Sequence, residues 1–173
     1  HTFMDLFSTE FPVDDGTVVI QKIIIPIIQR DYAQGRLDAD VTRVRKRFLQ
    51  ALRAAVTESP ITLDFVYVDV NGVMTPLDGQ QRLTTMFLLH WYAARRVNAP
   101  EDDCAFLQNF SYETRYSARD FCARLVGSYV PSFTMPISEE IIDQAWFPLD
   151  WQKDPTIHSM LVMLDAIDET FGD

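Results

Sequence analysis

A β-hairpin followed by a helix that is apolar on almost every side constrains the fold of this 173-residue chain more than any other feature. Leu63–Val70 and Val73–Leu77 are both suited to strands, and Asn71-Gly72 between them favours a two-residue hairpin turn. The following stretch, Leu83–Val97, is predicted to be a helix, and its middle is apolar almost all round. Such a helix must be covered on all sides, so we expect it at the centre of the core.

Further elements are predicted on both sides of this segment. Thr17–Ile25 is apolar and β-branched enough for one strand buried on both faces. Val41–Val56 is the clearest amphipathic helix, and Asp154 followed by Pro155 predicts the N-cap and first residue of a last helix. The apolar stripe predicted for the first of these helices consists of Val41, Val44, Phe48, Leu52 and Ala55.

Charge is distributed unevenly along the chain, although the net charge is −10. Residues 16–100 contain eleven Lys and Arg against seven Asp and Glu, whereas residues 125–173 contain one Lys against nine acidic residues. A globally acidic protein can therefore carry a local anion site in its first half. The acidic second half is typical of a solvated surface.

The strongest local signal is the sequence DGQQR at Asp78–Arg82, where a strand passes into the buried helix. We refer to these five residues as the DGQQR turn. A helix N-terminus presents unpaired N–H groups and the positive end of the helix dipole, which suits phosphate. Gly79 allows a ligand to approach the backbone closely, and Arg82 supplies a two-pronged donor. These residue types favour a phosphate site.

A purely structural role explains the same residues about equally well. Asp78 as the N-cap and Gln81 at the third helical position would form a capping box, and Gly79 could serve the turn alone. The carboxylate of Asp78 would also repel a phosphate unless a divalent cation bridges the two or the carboxylate points away. On the residues alone, both interpretations stay open.

Two more polar clusters precede the hairpin. Gln29–Tyr32 lies in a loop after the first strand, where function is more common than packing. The predicted amphipathic helix carries a basic face that could contact DNA phosphates weakly, although a solvated face is the commoner explanation. That face consists of Arg43, Arg45, Lys46 and Arg47.

Several functional classes are excluded by what the sequence lacks. No P-loop, dinucleotide-binding or nucleophile-elbow motif occurs, and no histidine has a second ligand at zinc spacing. We therefore expect no zinc, haem or NAD. The longest apolar stretch is too short to cross a membrane, so no membrane partner is expected. Cys104 and Cys122 are too few for a disulfide scaffold and fit a reducing cytoplasm, where we place the protein.

Ile25–Tyr32 followed by Leu77–Thr85 resembles the domain-of-unknown-function family 262. This family forms the N-terminal part of GmrSD-type modification-dependent restriction proteins and of SspE-type phage-defence proteins. The resemblance implies an α+β fold with a ParB/sulfiredoxin-like core, a small mixed sheet with helices, at residues 1–100. A mainly helical continuation at 101–173, truncated from a longer protein, would follow.

The resemblance also implies that the domain binds or hydrolyses a nucleoside triphosphate (NTP). In this hypothesis Asp78 binds Mg²⁺, Gln80 or Gln81 orients a water, and Arg30 neutralises developing charge. The residues expected to contact phosphate or nucleotide are Gly79, Arg82, Thr84, Gln29 and Tyr32. The activity would be coupled to a DNA-cleaving nuclease domain, in the same longer chain or in a partner subunit.

Two observations limit this hypothesis, and two alternatives compete with it. Many family members have an aromatic residue shortly after the tyrosine, where this chain has Ala33-Gln34-Gly35. His1, His90 and His158 cannot be assembled into a nuclease cluster, so no DNA cleavage is expected from these residues. The alternatives are a non-catalytic DNA-binding or modification-sensing module, and an interaction domain in which the DGQQR turn only caps a helix.

Overall fold

The computed structural model describes residues 2–26, 31–64, 67–70 and 72–172. It divides into two compact units, each built from two stretches of chain. The first, called the sheet unit, comprises His1–Gln29 and Phe65–Ser128. The second, called the helical unit, comprises Arg30–Asp64 and Tyr129–Asp173. The division of the chain at residue 100, which the family resemblance implied, stays a prediction.

The described part of the sheet unit contains six strands and three α-helices. The strands, in chain order, are β1 (Glu10–Val13), β2 (Gly16–Val19), β3 (Lys22–Ile25), β4 (Tyr67–Val70), β5 (Val73–Pro76) and β6 (Phe110–Tyr112). The helices of both units are α1 (Ala39–Thr57), α2 (Gln80–Arg96), α3 (Glu101–Cys104), α4 (Tyr116–Ser128), α5 (Ile137–Ile142) and α6 (Pro155–Phe171). Short 3₁₀ helices occur at Asp5–Phe7, Ala105–Asn109 and Leu149–Lys153.

The main sheet of the sheet unit is mixed, with the strand order β4-β5-β3-β6. β3 pairs in parallel with both β5 and β6, and β4 pairs antiparallel with β5. Val70 and Val73 face each other across the hairpin, and Gly72 has a positive φ of 79°. The predicted hairpin is confirmed, with its first strand beginning at Tyr67. The predicted residues Phe65, Val66 and Asn71 lie outside the described residues.

The predicted single strand over Thr17–Ile25 is wrong, because two strands of different sheets occupy it. β2 pairs with β1 in a separate hairpin that is largely exposed. β3 begins three residues after β2 ends and enters the main sheet, where Ile23 and Ile25 are buried. An apolar run of nine residues can supply both an exposed hairpin arm and a core strand, which composition alone does not distinguish.

Helix α2 lies in the core of the sheet unit, as its apolar character predicts. Phe87, Leu88 and Trp91 are completely buried, and the ring of Phe87 stacks on Phe110 of β6 at 4.6 Å. The Trp91 indole N–H donates to the carbonyl of Leu125 over 2.9 Å, near the end of α4. The tryptophan therefore satisfies one of the carbonyls that a helix C-terminus leaves without a partner.

The helical unit is built around α6, whose N-terminus has the predicted form. The Asp154 carboxylate accepts hydrogen bonds from the N–H groups of Thr156 and Ile157, and Pro155 is the first helical residue. Asp38 caps α1 in the same way, through Val41 N–H at 2.9 Å. These contacts confirm both the last helix and the amphipathic one, and the α+β class is confirmed for the chain as a whole.

The buried face of α1 differs from the predicted stripe. Val44 of that stripe is 55% exposed, whereas Arg45 and Leu49, one residue further along, are buried. Leu52 is buried as predicted. The helix is rotated in this way because Arg45 satisfies carbonyl groups in the preceding loop, a demand that apolar spacing does not reveal.

Candidate functional site

The DGQQR turn joins β5 to α2 through a left-handed residue. Gly79 has φ 83° and ψ 6° and is the N-cap of α2, so the helix begins at Gln80, three residues earlier than predicted. Residues with a Cβ rarely adopt this conformation, which makes glycine the favoured residue here. Gly79 is also buried. The turn therefore brings bare backbone to the start of a core helix.

The capping box that the sequence offered as a structural explanation is not formed. Asp78 precedes the N-cap residue, and its Oδ1 accepts a hydrogen bond from the N–H of Gly79 at 2.7 Å. The N-cap residue itself, Gly79, has no side chain and so makes no side-chain capping hydrogen bond. Capping of the helix therefore does not account for Asp78.

Asp78 and Arg82 lie on the same side of the turn, four residues apart. The nearest nitrogen of Arg82 is 3.8 Å from Asp78 Oδ2, beyond hydrogen-bond distance. The side chain of Asp78 is 74% exposed and that of Arg82 is 32% exposed. Exposed pairs of this kind contribute little to stability, and both side chains remain accessible to a solute.

The two glutamines of the turn lie in its first helical residues and are partly exposed. The Gln80 side-chain amide donates to the Leu77 carbonyl over 3.1 Å. The Gln81 carbonyl accepts a hydrogen bond from the Thr85 hydroxyl at 2.9 Å. The structure thus places five of the predicted site residues in one short segment, namely Asp78, Gly79, Gln80, Gln81 and Arg82.

Thr84 occupies a different position from the one predicted for a phosphate ligand. Its side chain is 1% exposed, and its hydroxyl lies 3.0 Å from the phenol oxygen of Tyr112, which is also buried. This buried pair joins the first turn of α2 to β6. Thr84 therefore fixes the start of the helix from the core side and does not lie at the surface of the turn.

The second predicted cluster, Gln29–Tyr32, is described only in part. Gln29 and Arg30 lie outside the described residues. Tyr32 is 1% exposed, and its backbone N–H donates to the Thr156 hydroxyl over 3.3 Å within the helical unit. The Tyr32 ring is therefore a core element of this unit and does not offer an open face for stacking a base.

The loop that follows Tyr32 is packed tightly against α6. A Cβ atom at Gly35 would lie 1.9 Å from the carbonyl oxygen of Ser159, so this position accepts no side chain. The guanidinium of Arg45 donates from Nη1 to the carbonyls of Gln34 at 2.9 Å and Arg36 at 3.0 Å. Close packing against α6 explains why a glycine occurs at this position.

Arg45 is consequently not part of the exposed basic face, which corrects its predicted contact with DNA. It is only 6% exposed and is committed to loop carbonyls. Lys46 and Arg47 are exposed, as predicted. Arg43 is exposed as well and forms an ion pair with Asp40 at 2.9 Å. The sequence alone did not predict that Arg45 holds the loop around Gly35 through the carbonyls of Gln34 and Arg36. The glycine in that loop was the one sequence feature that could have indicated close packing there.

No metal centre is formed within the part of the chain that the structure describes. There, no three His, Cys, Asp or Glu side chains are close enough together to hold an ion. Burial lowers the pKa of His90, while a hydrogen bond between its Nδ1 and the Met86 carbonyl at 2.8 Å opposes that shift. Cys104 and Cys122 are free and buried, as expected of core residues. None of the described helices is long and apolar enough to cross a membrane.

Comparison with known proteins is consistent with the family resemblance of Ile25–Tyr32 and Leu77–Thr85. No curated protein and no solved structure matches the chain. The family model described as the GmrSD restriction endonuclease N-terminal domain matches residues 14–170, which include both motifs and nearly all of both units. The chain belongs to the family of GmrSD restriction endonuclease N-terminal domains.

Proposed function

We propose that this domain binds a nucleoside triphosphate at the DGQQR turn and regulates a restriction protein by doing so. The observation that carries the proposal is the start of α2, where a buried left-handed glycine, which has no side chain to cap the helix, takes the N-cap position. Such a terminus offers backbone N–H groups and a positive dipole end to an anion. Arg82, one turn into the helix, supplies a partly exposed guanidinium beside it.

The residues present also fit a magnesium ion delivered with the phosphates. Mg²⁺ in nucleotide sites usually takes one or two protein carboxylates, with phosphate oxygens and waters as the other ligands. Asp78 supplies one such carboxylate, and it is exposed at the turn. A bound cation would also remove the repulsion between Asp78 and phosphate that the sequence raised.

Hydrolysis is the further step of the proposal. Gln80 and Gln81 are the candidates for orienting a water, since both lie in the first turn of α2 and are partly exposed. Gln29 and Arg30 stay predictions of the motif, because they lie outside the described residues. Thr84 and Tyr32 are left out of the contact set, since both side chains are buried. The nuclease would belong to the longer chain or to a partner subunit.

Calorimetric titration with each of the four NTPs, with and without Mg²⁺, tests the proposal. Arg82→Ala removes a charge-assisted contact worth ~1.5 to 3 kcal/mol, so NTP affinity should fall roughly tenfold to a hundredfold. Arg82→Lys should restore only part of this affinity, because an ammonium group cannot reproduce a two-pronged donor. Arg124→Ala, an exposed arginine on α4 away from the turn, is the matched control and should bind as the parent does.

Asp78→Asn separates binding from hydrolysis. It keeps an oxygen that can accept from Gly79 N–H, so unfolding free energy should stay within ~1 kcal/mol of the parent. Mg²⁺-dependent NTP hydrolysis should be lost, because the cation loses an anionic ligand. Unchanged NTP affinity in Arg82→Ala, together with changes in thermal stability alone, would leave only a structural role for the turn.

Weak DNA binding through α1 is the second candidate function. Arg43, Lys46 and Arg47 are all exposed on that helix, which makes them available to backbone phosphates. The net charge of −10 opposes such binding. For this reason the nucleotide function ranks first.

A further inference from the structure

The sheet unit contains a cavity that is separate from the DGQQR turn. It has a volume of about 360 Å³ and is lined by residues of the 3₁₀ helix Ala105–Asn109, of β6 and of α4. None of its lining residues belongs to the turn. The volume falls in the range of sites for small organic molecules.

The lining of the cavity combines apolar side chains with a few polar ones. Leu107, Phe110 and Val126 supply apolar walls, and the first two of them are buried. Gln108 and Ser111 bring polar side chains to the lining. A mainly apolar wall with a small number of polar groups is the usual composition of a ligand site.

One charged side chain lines this cavity, Arg119 of α4. Its guanidinium lies 4.7 Å from the centre of the Tyr116 ring, an arrangement that restrains it by a cation–π contact. The nearest carboxylate oxygen, on Asp120, is 3.7 Å from its Nε, too far for a hydrogen bond. Among the described residues, the Nη groups of Arg119 make no hydrogen bond and remain available to an anion.

Gly127, the next-to-last residue of α4, lines the cavity without a side chain. Its φ is not positive, and a Cβ atom there would meet nothing within 4 Å. Neither backbone conformation nor close packing therefore requires glycine at this position, and a larger side chain can be introduced there to occupy the cavity.

We propose that this cavity binds a small apolar carboxylate, with the hydrocarbon part between Leu107, Phe110 and Val126 and the carboxylate on Arg119. Among the described residues of the lining, this arginine is the only charged one, so it selects an anion over a neutral or cationic ligand of the same shape. The proposal does not depend on nucleotide binding at the DGQQR turn, because the two sites share no residue.

Octanoate is the probe for a test by NMR, in which backbone amide shifts are followed during titration of the whole chain. We expect saturable shifts centred on residues 107–127, with half-saturation at or below roughly 1 mM. Octan-1-ol, which has the same chain without the charge, should bind about tenfold more weakly. Arg119→Gln should weaken octanoate about tenfold and leave octan-1-ol unchanged, whereas Arg124→Gln on the same helix should change neither.

Gly127→Leu should fill the cavity and abolish binding of both compounds, while Gly127→Ala should keep the fold and most of the binding. If Gly127→Leu fails to fold, the comparison of octanoate with octan-1-ol in Arg119→Gln decides the matter by itself. The proposal is overturned by an absence of saturable shifts around the cavity. It is equally overturned if a folded Gly127→Leu binds like the parent, or if octanoate and octan-1-ol bind alike.

Discussion

Gly35 is the position where one added methyl group should be most damaging. The loop that contains it is pressed against α6, and a Cβ atom there would lie 1.9 Å from the Ser159 carbonyl oxygen and 2.4 Å from the Ser159 Cα. Ordinary contact begins at 3.4 Å, so the loop would have to move away from the helix by about 1.5 Å. Both atoms in the way belong to backbone and cannot rotate aside.

The movement would also break contacts that hold the same loop from its other side. Arg45 donates to the carbonyls of Gln34 and Arg36 at 2.9 and 3.0 Å, and a displacement of this size takes both bonds beyond their range. Overpacking alone costs ~1 to 3 kcal/mol, and each lost bond from a charged donor adds ~1.5 kcal/mol or more. We therefore expect Gly35→Ala to lower the free energy of unfolding by at least ~3 kcal/mol.

Urea denaturation followed by circular dichroism measures this quantity, and Gly127→Ala is the matched control. It makes the same chemical change in open space, one residue before the end of α4, so it should change the unfolding free energy by less than ~1 kcal/mol. If Gly35→Ala unfolds within ~0.5 kcal/mol of the parent, the loop is not packed against Ser159 as described. A much larger loss of stability in Gly35→Ala than in the control would support the close contact directly.

Two other predictions concern side chains that satisfy backbone groups in the helical unit. Arg45→Ala should destabilise the protein by ~1.5 to 3 kcal/mol in urea denaturation, whereas Arg47→Ala, on an exposed side chain, should change it by less than ~0.5 kcal/mol. For Glu140, partial burial raises the pKa, but hydrogen bonds from the hydroxyl and N–H of Ser132 and from Tyr129 outweigh it and hold the pKa below its usual value. The stabilising effect of the Glu140 carboxylate is therefore complete above its unfolded-state pKa and is lost as pH falls through the lower folded-state pKa. Thermal melts of Glu140→Gln should accordingly differ from those of the parent at pH 7 and converge with them in strong acid. Binding of duplex DNA through α1 should be weaker than micromolar at physiological salt, and its affinity should fall steeply as the salt concentration rises. A sub-micromolar affinity that is lost when Arg43, Lys46 and Arg47 are neutralised together would instead rank DNA binding above nucleotide binding.

Local chemistry made several elements predictable from the sequence. Asn71-Gly72 between two apolar runs predicted the β4–β5 hairpin, and an all-round apolar helix predicted that α2 lies in the core. Asp154 followed by Pro155 predicted the start of α6. Each of these features depends on residues that are close together in the chain, so a short segment contains the whole cause.

Features that depend on distant partners were not predictable in the same way. The split of Thr17–Ile25 depends on which strands pair with each half, and these partners come from before residue 14 and after residue 72. The rotation of α1 depends on carbonyl groups in the preceding loop, which accept from Arg45. The sequence alone makes Thr84 a candidate ligand, because it does not show that the Thr84 hydroxyl is hydrogen-bonded to Tyr112, 28 residues later.

The motif residues thus fall into two groups, those whose polar groups are bonded inside the fold and those whose polar groups are exposed. The Tyr32 backbone N–H is bonded to Thr156, and the Thr84 hydroxyl is bonded to Tyr112. The side chains of Tyr32 and Thr84 are both buried. Asp78 and Arg82 remain exposed to a solute, and the long distance between them indicates that their mutual attraction contributes little. A turn with a purely structural role would not require two accessible, weakly paired charges at the start of α2. Substitution of these two residues, with folding measured in parallel, is therefore the direct way to find out whether the DGQQR turn binds a ligand.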